Sequence, residues 1–280
     1  MAWCLDTHCH LDASEFDQDR DAVMAYAAQV GVNGVLIPAV RARDFESVKD
    51  LAHRASKLMP ASCYTLGIHP IYTSEAKPSD LQILREAIKS SLSDPRFVGV
   101  GEIGLDYFLS DLDPDHQAFY FEAQLDLARE FNLPVILHVR RSQDAIIKAL
   151  KLKGISGGIA HAFNGSFQQA ENFLKLNFVM GFGGAMTHTR ALQIRRLAKD
   201  LPLSALVLET DAPDIPPMWL SHTLKPRNEP GELVQISSVL AELRGELLSK
   251  IQHECALNAL RVIPRWKTLL QSSHPSVVLS

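Results

Sequence analysis

Histidines at positions 8 and 10, in the run Asp6-Thr7-His8-Cys9-His10-Leu11-Asp12, have the spacing at which alternate residues of an extended strand point to one side. Such a pair can present two imidazole nitrogens to one divalent ion, although two histidines alone also fit a structural or solvated strand. Four more positions decide between these readings. Glu102 follows Val98-Gly99-Val100-Gly101, His138 closes Pro134-Val135-Ile136-Leu137, His161 closes Gly158-Ile159-Ala160, and Asp211 follows Leu206-Val207-Leu208-Glu209-Thr210. Each ends an apolar, strand-like run, where an unpaired charge or imidazole would be costly to bury, so the set points to metal ligation. Four imidazoles and two carboxylates suffice for two divalent ions. The expected division has His8, His10 and Asp211 on one ion and His138 and His161 on the other, with Glu102 bridging. Asp211 is then placed to orient the attacking water and accept its proton, which makes Asp211 and Glu102 the catalytic pair. The four histidines favour zinc or manganese over magnesium by ligand softness.

The segments that must position these side chains alternate along the chain. Strands are expected at 2–7, 34–38, 62–66, 97–101, 134–137, 157–160, 178–182 and 205–208, which are the runs rich in β-branched and apolar residues. Between them, 19–30, 44–58, 81–91, 115–131 and 142–151 carry apolar residues at helical spacing. In 115–131, Phe119, Leu125, Leu127, Ala128 and Phe131 are expected to cover a sheet, while Gln117, Glu122, Asp126 and Arg129 face water. Strand–helix alternation with eight strands predicts an α/β fold, a TIM (β/α)8 barrel whose metal site lies at the C-terminal ends of the strands. The proline-rich stretch 213–230 reads as a long loop over the barrel mouth, followed by closing helices around 231–243 and 247–263. No linker, composition shift or repeat divides the chain, so 1–280 is expected to form one domain.

Composition narrows the classes. Of the 280 residues 46% are hydrophobic and 21% charged, ordinary proportions for a globular protein. The formal charge of −4 argues against a protein that coats nucleic acid by long-range attraction, but leaves local phosphate handling at a metal site open. Cys4, Cys9, Cys63 and Cys255 are scattered, without a Cys-x-x-Cys pair, so reduced thiols are expected. The start lacks a basic segment followed by an apolar run, and no stretch approaches bilayer-spanning length. A cytoplasmic protein is expected, with no membrane association and no protein partner implied.

Seven motifs carry a resemblance to a known family. They are Asp-Thr-His-Cys-His-Leu-Asp at 6–12, Gly-Ile-His-Pro at 67–70, Gly-Glu-Ile-Gly-Leu-Asp at 101–106, Leu-Pro-Val-Ile-Leu-His at 133–138, His-Ala-Phe-Asn-Gly-Ser at 161–166, Glu-Thr-Asp-Ala-Pro at 209–213 and Arg-Asn-Glu-Pro at 227–230. In type and order they resemble the signatures of TatD-family metal-dependent hydrolases of the amidohydrolase superfamily. The resemblance implies a two-metal site on His8, His10, Glu102, His138, His161 and Asp211, with magnesium as a further candidate ion. It also implies deoxyribonuclease activity, including 3′-end exonuclease action on DNA or RNA, and substrate phosphate facing His69, Arg227 and Asn228. The segment 221–226, Ser-His-Thr-Leu-Lys-Pro, departs from the glycine-containing turn common in the family and bears on substrate preference. The leading expectation is therefore a phosphodiesterase acting on nucleic acid or another phosphodiester. The alternatives are a hydrolase or deaminase acting on an amide, lactone or base at the same site, and a metal-binding scaffold without catalysis. No lysine stands in 101–106, where relatives of the phosphotriesterase type carry a lysine bridge; Glu102 stands there instead.

Overall fold

Near-continuous apolar runs are what parallel strands buried on both faces require, and the chain supplies eight of them. A computed structural model describes residues 3–224 and 226–273. Ala2 of the first expected strand, Lys225 of the departing turn, and residues 1 and 274–280 of the expected domain lie outside the described residues. The strands are β1 (Leu5–Asp6), β2 (Gly34–Pro38), β3 (Cys63–Leu66), β4 (Phe97–Asp106), β5 (Val135–Arg140), β6 (Gly158–Ala160), β7 (Phe178–Phe182) and β8 (Leu206–Leu208). Each pairs in parallel with its neighbour in chain order. Past the ends of β1 and β8 the circle closes through Thr7 N to Leu208 O (3.0 Å), Asp211 N to His8 O (2.8 Å) and His10 N to Ala212 O (2.8 Å). The result is a (β/α)8 barrel.

The helices are α1 (Arg20–Val30), α2 (Phe45–Ala55), α3 (Pro78–Ser91), α4 (Pro114–Glu130), α5 (Gln143–Lys153), α6 (Phe167–Lys175), α7 (Leu192–Asp200), α8 (Leu233–Arg244), α9 (Leu248–Val262) and α10 (Pro264–Ser273). Local chemistry sets their ends. Asp113 accepts hydrogen bonds from the N–H groups of Asp115 and His116 with Pro114 in the first turn of α4, and Gly154 in the left-handed region stops α5. The periodicity reading leaves α6, α7 and α10 unnamed. It also inverts one face of α4, where Phe119 is half exposed and Gln117 is buried. Gln117 belongs inside because its amide pairs with the strand backbone, accepting from Asp106 N (2.7 Å) and donating to Asp106 O (3.0 Å). Gln124, two turns later on the same face, does the same to Ile68 (2.7 and 3.0 Å).

The barrel is closed at the amino ends of its strands. Leu5, Leu36, Cys63, Val98, Ile136, Ile159, Val179 and Val207, one from each strand, cluster with α9 and α10 side chains around the buried Trp266. Trp266 Nε1 donates to Ala61 O (2.7 Å), Arg265 Nε to Phe97 O (2.6 Å) and a guanidinium N–H of Arg261 to Ser204 O (2.8 Å), all carbonyls at strand starts. All four cysteines are free and buried. Among the described residues no helix is long and apolar enough to cross a membrane.

Candidate metal centre

The carboxyl ends of the strands gather the ionisable residues around one carboxylate. β4 is longer than the expected 97–101 and carries Glu102 inside the strand; its glycines let it lie close to β5, where an added Cβ on Gly101 would meet the Ile136 side chain at 2.6 Å. Glu102 Oε2 lies 3.0 Å from His8 Nε2 and 3.4 Å from His10 Nε2. Its other oxygen, Oε1, lies 3.1 Å from His138 Nδ1, 3.1 Å from His161 Nε2 and 3.2 Å from His69 Nε2. Asp211, held in the left-handed region (φ 60°) beyond β8, places Oδ1 3.6 Å from His8 Nε2 and 3.7 Å from His10 Nε2. Three sets of side chains have ligand atoms close enough to share an ion: His8 with His10 and Asp211, His8 with Glu102 and His161, and His69 with Glu102 and His138. The first set and the central place of Glu102 follow the sequence expectation. His138 and His161 both reach Glu102 Oε1 but fall into different sets, each joined by a further histidine.

The donor set suits divalent cations. Glu102 Oε2 is buried with no hydrogen-bond partner, a costly state that ligation to an ion relieves. Burial pushes the Glu102 carboxyl up, but His69, His8 and His161 outweigh it and hold it well below the usual range. Burial likewise lowers His8, keeping its ring neutral and able to donate a lone pair. His69 differs from the other imidazoles. Its Nδ1 accepts from Ile71 N (3.1 Å) and burial lowers its pKa to about 4, so the neutral ring carries its proton on Nε2 and donates to Glu102.

Three carboxylates without an assigned role in the sequence reading support this centre. Asp106 Oδ2 lies 3.0 Å from His138 Nε2, which leaves Nδ1 of that ring for Glu102 or an ion. Burial acts against it, but the bonds from His138 and from the Phe108 and Leu109 N–H groups bring Asp106 down to about 2. Buried Asp6 accepts from His8 N (3.2 Å), Thr210 N (3.0 Å) and Thr210 Oγ1 (2.6 Å), tying the two histidines to the segment that bears Asp211. Glu209 accepts from Ala162 N (2.6 Å) beside His161, and burial raises it to about 8. Their common signal in the sequence is position, two residues before His8, two before Asp211 and four after Glu102.

Above the cluster opens a cleft of about 1020 Å³, lined by His10, His69, Glu102, His138, His161 and Asp211 together with Tyr72, Phe108, Arg140, Arg141, Asn164 and the 213–215 segment. Of the residues expected to face substrate, His69 stands in this cleft. Arg227 is turned elsewhere: its guanidinium forks onto Asp19 (2.9 and 2.7 Å), reaches Glu229 (2.6 Å) and Glu15 O (2.7 Å), and lies over the Phe16 ring. Asn228 is buried, and its amide donates to Thr210 O (2.7 Å), Asp214 O (3.1 Å) and Ile215 O (3.2 Å). Neither residue is among those lining the cleft. Arg227 ties the 213–230 loop to the α1 entry, and Asn228 braces the backbone around Asp211.

Comparisons with known proteins find relatives along nearly the whole chain. The family described as TatD related DNase matches residues 5–264. An uncharacterized metal-dependent hydrolase of Escherichia coli K12, YjjV, is 39% identical over 248 residues, covering 88% of this chain and 92% of its own. The crystal structure of the E. coli TatD homologue YjjV superposes with a TM-score of 0.85 at 36% identity, covering 93% of this chain and 98% of that one. A protein of Erwinia tasmaniensis named 3′-5′ ssDNA/RNA exonuclease TatD is 34% identical over 267 residues, covering 92% of this chain and 98% of its own.

Proposed function

The chain belongs to the TatD family of metal-dependent hydrolases, which act on ester bonds, and from that premise we propose a phosphodiesterase that removes nucleotides from the 3′ end of single-stranded DNA or RNA. The observation that carries this reading is Glu102, a single buried carboxylate with His8 and His10 at one oxygen and His138 and His161 at the other. That arrangement suits two divalent ions, zinc, manganese or magnesium, with Asp211 completing the His8–His10 side and Glu102 shared. Bound there, the ions would supply Lewis acidity toward a phosphoryl oxygen and lower the pKa of water.

The chain's own residues do the rest. Asp211 lies at the cleft floor beside His10, and burial raises its carboxyl above the usual range, which suits it to orient a water and take its proton. Glu102 stays ionised among its imidazoles. His69, with Nε2–H on Glu102, fixes the orientation of that carboxylate from the cleft wall and faces the substrate. The choice of nucleic acid, and of the 3′ end, rests on relatives named for that activity.

The test is hydrolysis of 3′-labelled single- and double-stranded DNA and RNA, with each metal, by wild type and by Asp211→Asn, beside a panel of amides and lactones. Wild type should release 3′ nucleotides, and the variant should lose at least about a hundredfold in kcat while keeping its circular dichroism spectrum. Undiminished hydrolysis by Asp211→Asn removes the assigned role, and turnover of amides or lactones alone removes the phosphodiesterase.

A further inference from the structure

We propose that Arg140 and Arg141, stacked on Phe108 at the cleft wall, form a phosphate subsite that takes a phosphate flanking the one being hydrolysed; the proposal rests on the phosphodiesterase reading. Both guanidiniums lie over one ring, Arg140 at 3.9 Å and Arg141 at 4.7 Å from its centroid. Successive residues of a strand point to opposite sides, so this convergence needs a break. Arg141 provides it, leaving β5 in the left-handed region at φ 56°. A guanidinium held over an aromatic face can still turn N–H groups to another partner, and its fork suits bidentate binding of phosphate oxygens.

The surrounding charge favours an anionic ligand. The cleft floor is acidic, with Glu102, Asp106, Asp211 and Asp214, as a cation-binding floor must be. On the wall, Arg141 has no carboxylate within ion-pair distance among the described residues, and the nearest to Arg140 is Asp106 at 3.8 Å. Two adjacent guanidiniums, with only Asp106 within ion-pair distance of either among the described residues, repel each other, and an anion between them offsets that repulsion. Arg140 stands two residues beyond His138 on β5, about 7 Å along the strand, so an anion here lies beside the metal cluster without entering it. Asp106 couples the two places. It holds His138 with one oxygen and, with the other, the Phe108 N–H (2.9 Å) of the segment bearing the platform.

The experiment measures binding of a short fluorescein-labelled phosphorothioate oligothymidylate, which resists hydrolysis, to the metal-loaded full chain across a range of salt. Arg140→Ala and Arg141→Ala should each raise Kd about tenfold and flatten the slope of log Kd against log salt by about 0.7, the amount for one single-strand phosphate contact. Arg141→Lys should keep the slope and recover part of the affinity. Displacement by oligonucleotides with and without a terminal phosphate identifies the source. Arginine dependence in both assigns the subsite to an internal diester, and in the first alone to a phosphomonoester end. Wild-type Kd and slope in both alanine variants overturn the subsite. Turnover of unmodified oligothymidylate tests the phosphodiesterase separately: its absence, with arginine-dependent binding intact, overturns that reading and leaves the subsite standing.

Discussion

Glu102 organises the centre because five imidazoles approach one carboxylate, and each has to be held at a chosen nitrogen. For His138 the holding group is Asp106, whose bond to Nε2 leaves Nδ1 for Glu102 or an ion. Asp106→Asn keeps the shape but loses the charge, and should weaken divalent-metal affinity about 10- to 100-fold, read by competition with a chromogenic chelator. Wild-type affinity in that variant would show that the barrel alone orients the ring. The six candidate ligand positions were legible in the sequence because each ionisable residue directly follows an apolar, strand-like run. The partners of Asp106 and Arg227 were not. Asp106 meets His138 across 32 positions and Arg227 meets Asp19 across 208, and no local pattern encodes such pairings.

At the scale of elements, strand order and most helices followed from alternating periodicities, and the failures have specific causes. β4 was cut short at Gly101 because glycines interrupt its β-branched pattern, although those glycines are what let it run on beside β5. Gly104 shows the constraint most sharply: a Cβ there would lie 2.0 Å from His138 O. Gly104→Ala should therefore destabilise the protein by about 1–3 kcal/mol or more, seen as a lower urea midpoint, and an unchanged midpoint would contradict the close approach. The inverted face of α4 has a different origin. Hydrophobic periodicity assumes that polar side chains seek water, whereas Gln117 and Gln124 use both ends of their amides to satisfy backbone groups at the barrel rim.

For the whole molecule, the barrel separates two tasks. The candidate catalytic groups stand at the carboxyl ends of the strands, and the amino ends are sealed by α9 and α10, so stability and chemistry are open to independent change. Trp266→Ala should cost about 3–5 kcal/mol, visible in thermal unfolding, while kcat of the folded fraction stays at the wild-type value. A fall in kcat at full folding would show that the base and the cleft are coupled. The enclosed thiols have a practical consequence. With Cys4, Cys9, Cys63 and Cys255 all buried, a cysteine introduced at exposed Gln271 on α10 becomes the one sulfur open to maleimide chemistry. A molecule tethered to a bead or sensor chip through that handle would stand on its sealed base with its cleft facing the flowing solution, every copy presented alike.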